Sequence, residues 1–599
     1  MHTLNYIKKS SLDKKTKGRQ MGMLKIIKYL KPYVGYVLLA IALLFAQAMC
    51  ELSLPNYMSK IINDGILKRD NGLILQAGGI MLLISLGSVV AAICVGYLGS
   101  RIGSGMARTL RGYMFKKVSS FSNTEFDKYS TASLITRTTN DITQVQNFVT
   151  MMIRMMFYAP IMGAGGVILA LSKDVSMSWI IILAVVLLIG LIVVISIVVL
   201  PRFKKIQGLI DRLNLIVREQ LSGMLVIRAF NTEKFEEKRF EEANRDLMKV
   251  NLFVNRVMTF MMPAMMLLMN IISVLVIWVG SHRVGEGALQ VGDMMAFMQY
   301  TMQIIMSFLF ISMMFIMIPR ASVSAKRISE VLETELSIID GHETKTAEDT
   351  VGLIEFKDVT FTYPGAEEAV LHNVSFIAKP GETTAFIGAT GSGKSTLINL
   401  IPRFYDVTGG QILLDGVDIR KMKEHDLREQ IGYVPQKGIL FSGTIESNLR
   451  YGKKDATEAE VLEATTIAQA KEFIDLKPEG LDTDIAQGGS NVSGGQKQRL
   501  SIARALVKKP QIYIFDDSFS ALDFKTDAKL RAEIKENVKE ATVLLVAQRI
   551  STIMHAEQII VLDEGFVVGK GTHKELLETC EVYKEIALSQ LSKEELDNE

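Results

Sequence analysis

Cysteine is scarce in this sequence. The 599 residues include three, Cys50, Cys94 and Cys580. They lie far apart with no C-x-x-C spacing, so neither a disulfide framework nor a zinc site is indicated, and a reducing compartment suits the soluble part. An excess of one charge is also missing. Lys and Arg total 67 against 64 Asp and Glu, a formal net charge of +3, so there is no global case for a nucleic-acid partner. A cleavable signal is not expected. Residues 1–31 are rich in Lys and Arg and the first apolar run starts only near Tyr33, whereas a signal has a shorter charged region and a shorter apolar core. Residues 1–21 read as a disordered basic tail near an anionic inner leaflet, and 22–31 as a short amphipathic helix along the interface.

Long apolar runs are present. The hydrophobic fraction is 49% beside 22% charged residues, which suggests a membrane half and a polar half rather than one uniform fold. Six spans near 33–55, 71–100, 148–171, 175–200, 257–281 and 294–319 are long enough to cross a bilayer, which takes roughly 20 helical residues. The fourth contains no charged residue, and a soluble core helix seldom stays apolar on every face for so long. Connections alternate between short ones, at Lys173 and Asp174 and at 282–293, and long charged ones at 101–146 and 202–256. The long ones fall on the side of the basic tail. Arg101, Arg108, Arg111, Arg202 and Lys205 near span ends put that side, with both termini, in the cytoplasm.

Ile206, Ile210, Leu213, Val217 and Leu221 recur at helical spacing amid charges, so the spanning helices are expected to run on into the cytoplasm. Turns are expected at 123–130 and 228–235. Their aromatics Phe126, Tyr129, Phe230 and Phe235 suit either docking on a soluble domain or ordinary helix packing. Gln47, Glu51, Arg154, Asn270, Gln299 and Gln303 lie within or near the spans and are costly against lipid. They either line a cavity or join helices by hydrogen bonds. Methionine crowds the last two spans, six in the fifth and eight in the sixth. Thioethers give an adaptable surface that repacks around different ligands, or serve only as apolar filler.

A charged stretch, 333–352, reads as a linker. Alternating strands and helices follow from 353 to 599. The strand-like residues 384–387 run into Gly388, Ala389, Thr390, Gly391, Ser392, Gly393, Lys394, Ser395 and Thr396, and an apolar helical run follows. Strand, Gly-rich loop and helix in that order is the setting of a phosphate-binding P-loop. Glycines let N–H groups converge on phosphate oxygens, and the helix start adds its dipole. Lys394 would reach the β- and γ-phosphates and the Ser395 hydroxyl would ligate Mg²⁺. Tyr363 is an aromatic able to stack on a base. Gln436 follows the strand-like 431–434. Ser493, Gly494, Gly495 and Gln496 open a helix, a second anion-binding start. The run 512–516 ends in Asp516, where a Mg²⁺-coordinating carboxylate belongs, at the carboxyl end of a buried strand. Asp523 and a last apolar strand ending at Gln548 complete the series.

This order of P-loop, Gln436, V-S-G-G-Q, Walker B aspartate and S-A-L-D resembles the nucleotide-binding domain of ABC transporters. With six preceding spans, the chain resembles an exporter-type half-transporter over about residues 22–590. The resemblance implies an all-α transmembrane domain, 22–332, followed by an α/β P-loop domain, 353–599. It also implies ATP and Mg²⁺ as cofactors, and two chains that sandwich ATP between one P-loop and the other's signature residues 493–496. Tyr363 then stacks on adenine, Gln436 helps hold Mg²⁺, Asp523 communicates across the dimer, and the turns at 123–130 and 228–235 act as coupling helices.

Three positions depart from the family pattern. Asp517 replaces the catalytic Glu, Gln548 replaces the switch His, and residues 486–489 read Ala-Gln-Gly-Gly. Asp is one methylene shorter, so its carboxylate retreats by about 1.5 Å, and a misplacement near 1 Å costs on the order of 10²-fold in rate. Gln can donate a hydrogen bond but carries no charge. The site on this chain's P-loop is therefore expected to bind ATP and hydrolyse it poorly, as in the degenerate half of a bacterial heterodimeric multidrug exporter. The expected function is ATP-driven export of hydrophobic or amphipathic compounds across the cell membrane, with a non-identical second half. The alternatives are a homodimeric lipid flippase and an ATP-gated regulatory membrane protein.

Overall fold

The computed structural model describes residues 25–343 and 351–591. The basic tail and residues 344–350 of the expected linker lie outside the described residues. The chain forms two compact units, Met1–Ser119 with Thr131–Thr334, and Ser120–Ser130 with Glu335–Glu599.

In the first unit, six helices among the described residues are long and apolar enough to cross a membrane, at Lys25–Ile66, Asn71–Ser119, Thr131–Lys173, Val175–Ser222, Glu233–Gly285 and Val291–Ser312. The last continues as helix to Leu332. Most have twice the length a bilayer needs, so their charged ends extend into water as the periodicity of 206–221 anticipates. The third helix packs mainly on the sixth, the first on the second, and the fourth on the fifth. The short connections are held by ion pairs. Lys173 Nζ lies 2.7 Å from Asp293 and Arg283 Nε lies 3.2 Å from Asp174. Asp174 also accepts from the Ser176 N–H at 2.7 Å, which caps the turn that opens the fourth helix.

The second unit is α/β. Strand β1 (Ile354–Phe361) pairs antiparallel with β2 (Leu371–Ala378). Strand β3 (Thr383–Ile387) leads into the Gly-rich loop. Strands β4 (Gly409–Leu414) and β5 (Val417–Asp418) complete a four-stranded sheet of order β2-β1-β4-β5. Strand β6 (Ile431–Val434) enters a second sheet, while β7 (Gly443–Thr444) and β8 (Asp484–Ile485) form a small ladder. Strands β9 (Ile512–Asp516), β10 (Thr542–Val546), β11 (Gln558–Asp563) and β12 (Phe566–Gly571) finish that second sheet, whose order is β12-β11-β3-β10-β9-β6. All of its pairings except β11–β12 are parallel. All five residues of β9 are buried. A parallel strand covered on both faces has to read as an unbroken apolar run, as this one does until its final Asp.

Ser120–Ser130 packs within this second unit. Ser122 and Glu125 form a capping box around the helix Asn123–Lys128. Glu125 also accepts from the Ser337 N–H at 2.9 Å, and Asp127 accepts from the Tyr405 hydroxyl at 2.9 Å. Phe121 and Tyr129 are buried, with ring centroids 6.1 Å apart. This turn docks on the soluble domain through Glu125 and Asp127, and of its two singled-out aromatics Tyr129 is buried whereas Phe126 is 41% exposed. The other turn differs, since Phe230 is 75% exposed and Phe235 67%.

Candidate functional site

The order β3-β10-β9-β6 places four carboxyl-terminal strand ends side by side. Each carries one of the groups singled out in the sequence. β3 ends in the loop 388–393, β10 is followed by Gln548, β9 ends in Asp516 with Asp517 next, and β6 is followed by Gln436. In open α/β sheets, ligands bind at such carboxyl ends.

The loop turns through Gly393 at φ 95° into the helix Lys394–Leu400. A Cβ there would sit 2.8 Å from Leu371 Cδ2 as well as being strained. Lys394 is buried and folds across the loop. Its ammonium donates to the carbonyls of Gly388 and Ala389 at 2.9 and 2.8 Å. Burial pushes its pKa down, while the nearby Asp517 and Asp516 charges pull it up. Ser395 Oγ donates to Asp516 Oδ1 at 3.0 Å. Burial raises the Asp516 carboxyl above its usual range, and the Asp517 charge adds to this despite the Ser395 bond. Gln436 Nε2 donates to Asp517 Oδ2 at 3.2 Å, and Gln548 Nε2 donates to the same oxygen at 2.9 Å. Tyr363 reaches the P-loop helix, its hydroxyl 2.9 Å from Thr396 Oγ1, with its ring edge-on to Tyr405.

The donor set fits a Mg²⁺-bound triphosphate. A hydroxyl, a carboxylate and an amide oxygen are hard ligands. Mg²⁺ commonly takes only one or two protein carboxylates and completes its shell with phosphate and water. Among the described residues no group of three or more His, Cys, Asp or Glu gathers to form an all-protein cage.

The signature residues stand apart from this cluster. Ser493 caps the helix Gly494–Lys508, accepting from the Gln496 N–H at 3.3 Å and donating its own N–H to Gln496 Oε1 at 3.0 Å. No hydrogen bond or ion pair among the described residues joins 493–496 to the P-loop of the same chain. Asp523 caps the helix Phe524–Asn537 through the Thr526 N–H at 2.9 Å, and that bond holds its carboxyl below the usual range.

Among known proteins, an ABC transporter ATP-binding protein of Mycobacterium tuberculosis is 42% identical over 566 residues, covering 94% of this chain and 97% of its own. The chain belongs to the ABC transporter family. The family described as the ABC transporter transmembrane region matches residues 37–308, and that described as ABC transporter matches 371–520. The ABC transporter ATP-binding protein YfiB of Bacillus subtilis is 40% identical, over 96% of this chain and 99% of its own. The ATP-dependent lipid A-core flippase of Pseudomonas aeruginosa is 32% identical, over 92% of this chain and 93% of its own. A solved bacterial Atm1-family ABC exporter with ATP bound superposes at a TM-score of 0.77 with 25% identity, covering 94% of this chain and 99% of the other. This ABC transporter is thus an exporter-type half-transporter, a multi-pass membrane protein with an ATPase domain that implies ATP binding.

Two features of this ABC transporter carry little sequence signal. Gln590, 42 residues beyond Gln548, holds the switch loop from the C-terminal helix Glu581–Gln590. It donates to the Gln548 carbonyl at 2.8 Å and accepts from the Ile550 N–H at 2.9 Å. Asp517 has φ 46°, a left-handed backbone that fixes where its short side chain points. Of the polar span residues, Gln47, Glu51 and Gln303 are brought together, whereas Arg154, Asn270 and Gln299 remain on exposed faces.

Proposed function

We propose that this chain is the degenerate-site half of a heterodimeric exporter of hydrophobic or amphipathic compounds. Lys394 and the loop N–H groups hold the ATP phosphates, Ser395, Gln436 and Asp516 hold Mg²⁺, and Tyr363 faces adenine. Ser493, Gly494, Gly495 and Gln496 complete the partner's site, with Asp523 reporting between the two. One observation carries the reading. The carboxylate at the hydrolytic position is that of a short Asp, Asp517, and one of its oxygens already accepts from both Gln436 and Gln548. A general base has to reach an attacking water. An Asp set back by about 1.5 Å, beside a switch residue with no charge, positions water poorly. ATP binding then closes the soluble domains and hydrolysis at the partner's P-loop resets them, with both termini in the cytoplasm of a bacterial cell. The test is drug-stimulated ATPase activity of the chain co-expressed with candidate partner halves. Stimulated turnover only in the two-chain assembly is expected. Brisk turnover by the chain alone, abolished by D517A, overturns the scheme.

A homodimeric lipid flippase is the second reading, favoured by the likeness to the Pseudomonas lipid A-core flippase. Translocation of a fluorescent lipid by the reconstituted homodimer would decide for it.

A further inference from the structure

Within the membrane unit, Glu51, Tyr158, Met162, Met269, Met302, Gln303, Ser307 and Phe310 are among the residues that line a cavity of about 360 Å³, within the range of small-molecule sites. Among the described residues, Glu51 is its only acidic wall. Glu51 Oε1 accepts from Gln47 Nε2 at 2.9 Å and from the Ser88 hydroxyl at 3.0 Å, and Oε2 accepts from the Tyr158 hydroxyl. A carboxylate has about four acceptor positions, so one on Oε2 is left. No Lys or Arg forms an ion pair with it among the described residues. Arg154, one turn before Tyr158, is exposed and likewise forms none among the described residues. The cluster is short of donors in two further places. Gln47 is 4% exposed, and its Oε1, like that of Gln303, is buried with no partner. Turning the Gln47 amide over would satisfy that oxygen no better, because the carboxylate needs the NH₂.

A structural role alone does not account for this. A neutral side chain would join the helices as well, without the cost of placing a carboxylate at membrane depth. Beside Gln303 and Ser307, the other described walls are thioethers, which mould to varied shapes, and two aromatic rings, which attract cations through their π faces. We infer that this cavity recognises an amphipathic organic cation bearing N–H donors, with Glu51 as the specificity-determining charge. The inference rests on the exporter reading and narrows its substrate class.

The test measures binding of ethidium, a cation with amino donors, and of neutral N-phenyl-1-naphthylamine to the full chain in lipid nanodiscs, followed by ATP-driven export of both by the two-chain assembly. E51Q is expected to weaken ethidium binding about tenfold or more, as loss of a hydrogen-bonded charge contact implies, and to leave the neutral probe unchanged. Unaltered ethidium affinity, or equal loss of both probes, overturns the inference. Y158F guards against a fold defect in E51Q. It keeps the carboxylate and removes an internal donor, so ethidium binding should hold or strengthen, and a loss overturns the inference. Export of the neutral probe with no dependence of ethidium on Glu51 defeats this inference alone. Export of neither probe defeats the exporter reading itself.

Discussion

At the residue scale, the proposal turns on one methylene and one charge. Asp517 and Gln548 are bonded to each other at 2.9 Å, so they act as a unit and their effects will not add. Restoring both is therefore the informative change. D517E advances the carboxylate by about 1.5 Å, and Q548H supplies a ring that can carry a proton. The double variant of the full chain should release phosphate at least tenfold faster than wild type, given that a misplacement near 1 Å costs on the order of 10²-fold. Nucleotide affinity should stay the same, because Lys394, Ser395 and Asp516 are untouched. A double variant as slow as wild type would locate the defect elsewhere, with the Ala486–Gly489 loop next in line. There Asn491 bonds to the Asp484 carbonyl and the Ala486 N–H.

At the element scale, the helix Asn123–Lys128 is too short to be stable alone, so its order depends on what holds it. Glu125 is 3% exposed and accepts from the Ser122 N–H, the Ser122 hydroxyl and the Ser337 N–H. Burial alone would raise its pKa, but these bonds together bring it below its ordinary 4.5. A depressed carboxyl stabilises the fold above its unfolded-state value, and the benefit is lost as pH falls through the folded-state value. Hydrogen exchange across 120–130, corrected for intrinsic rates, should thus accelerate below pH 4.5. E125Q should loosen the segment by about 1–3 kcal/mol and abolish that pH dependence. The sequence made elements of this kind legible where chemistry is local. The strand, Gly-rich loop and helix around Lys394, the buried run ending at Asp516 and the six apolar spans all follow from short-range pattern. Strand order does not, because β3 lies between β10 and β11 through pairings across more than 150 residues. Nor does the grip of Gln590 on the switch loop, made by an ordinary glutamine on a terminal helix. The burial of Tyr129 and the exposure of Phe126 were open for the same reason, since an aromatic in a turn looks alike whether covered or not.

At the scale of the whole molecule, two features fit the proposed second chain. Among the described residues, the signature residues 493–496 share no hydrogen bond or ion pair with the P-loop of their own chain, which leaves them available to the partner in the proposed two-chain assembly. The second feature is the turn between the fourth and fifth spanning helices. Leu225, Phe230 and Phe235 there are 83%, 75% and 67% exposed, although the turn lies beyond the apolar spans where lipid would cover them. Clustered large apolar groups in water mark an interaction surface, and a buried aromatic anchor contributes about 2 kcal/mol or more to such a contact. If that surface seats on the partner's soluble domain, it transmits closure of that domain to the membrane helices. F230A/F235A should then leave nucleotide binding intact while drug stimulation of ATPase activity in the two-chain assembly falls to the basal rate. A cysteine placed at 230 should cross-link to the partner and not within the chain. Full stimulation in the double variant, or cross-linking confined to one chain, would show that the exposed turn carries no signal between the halves.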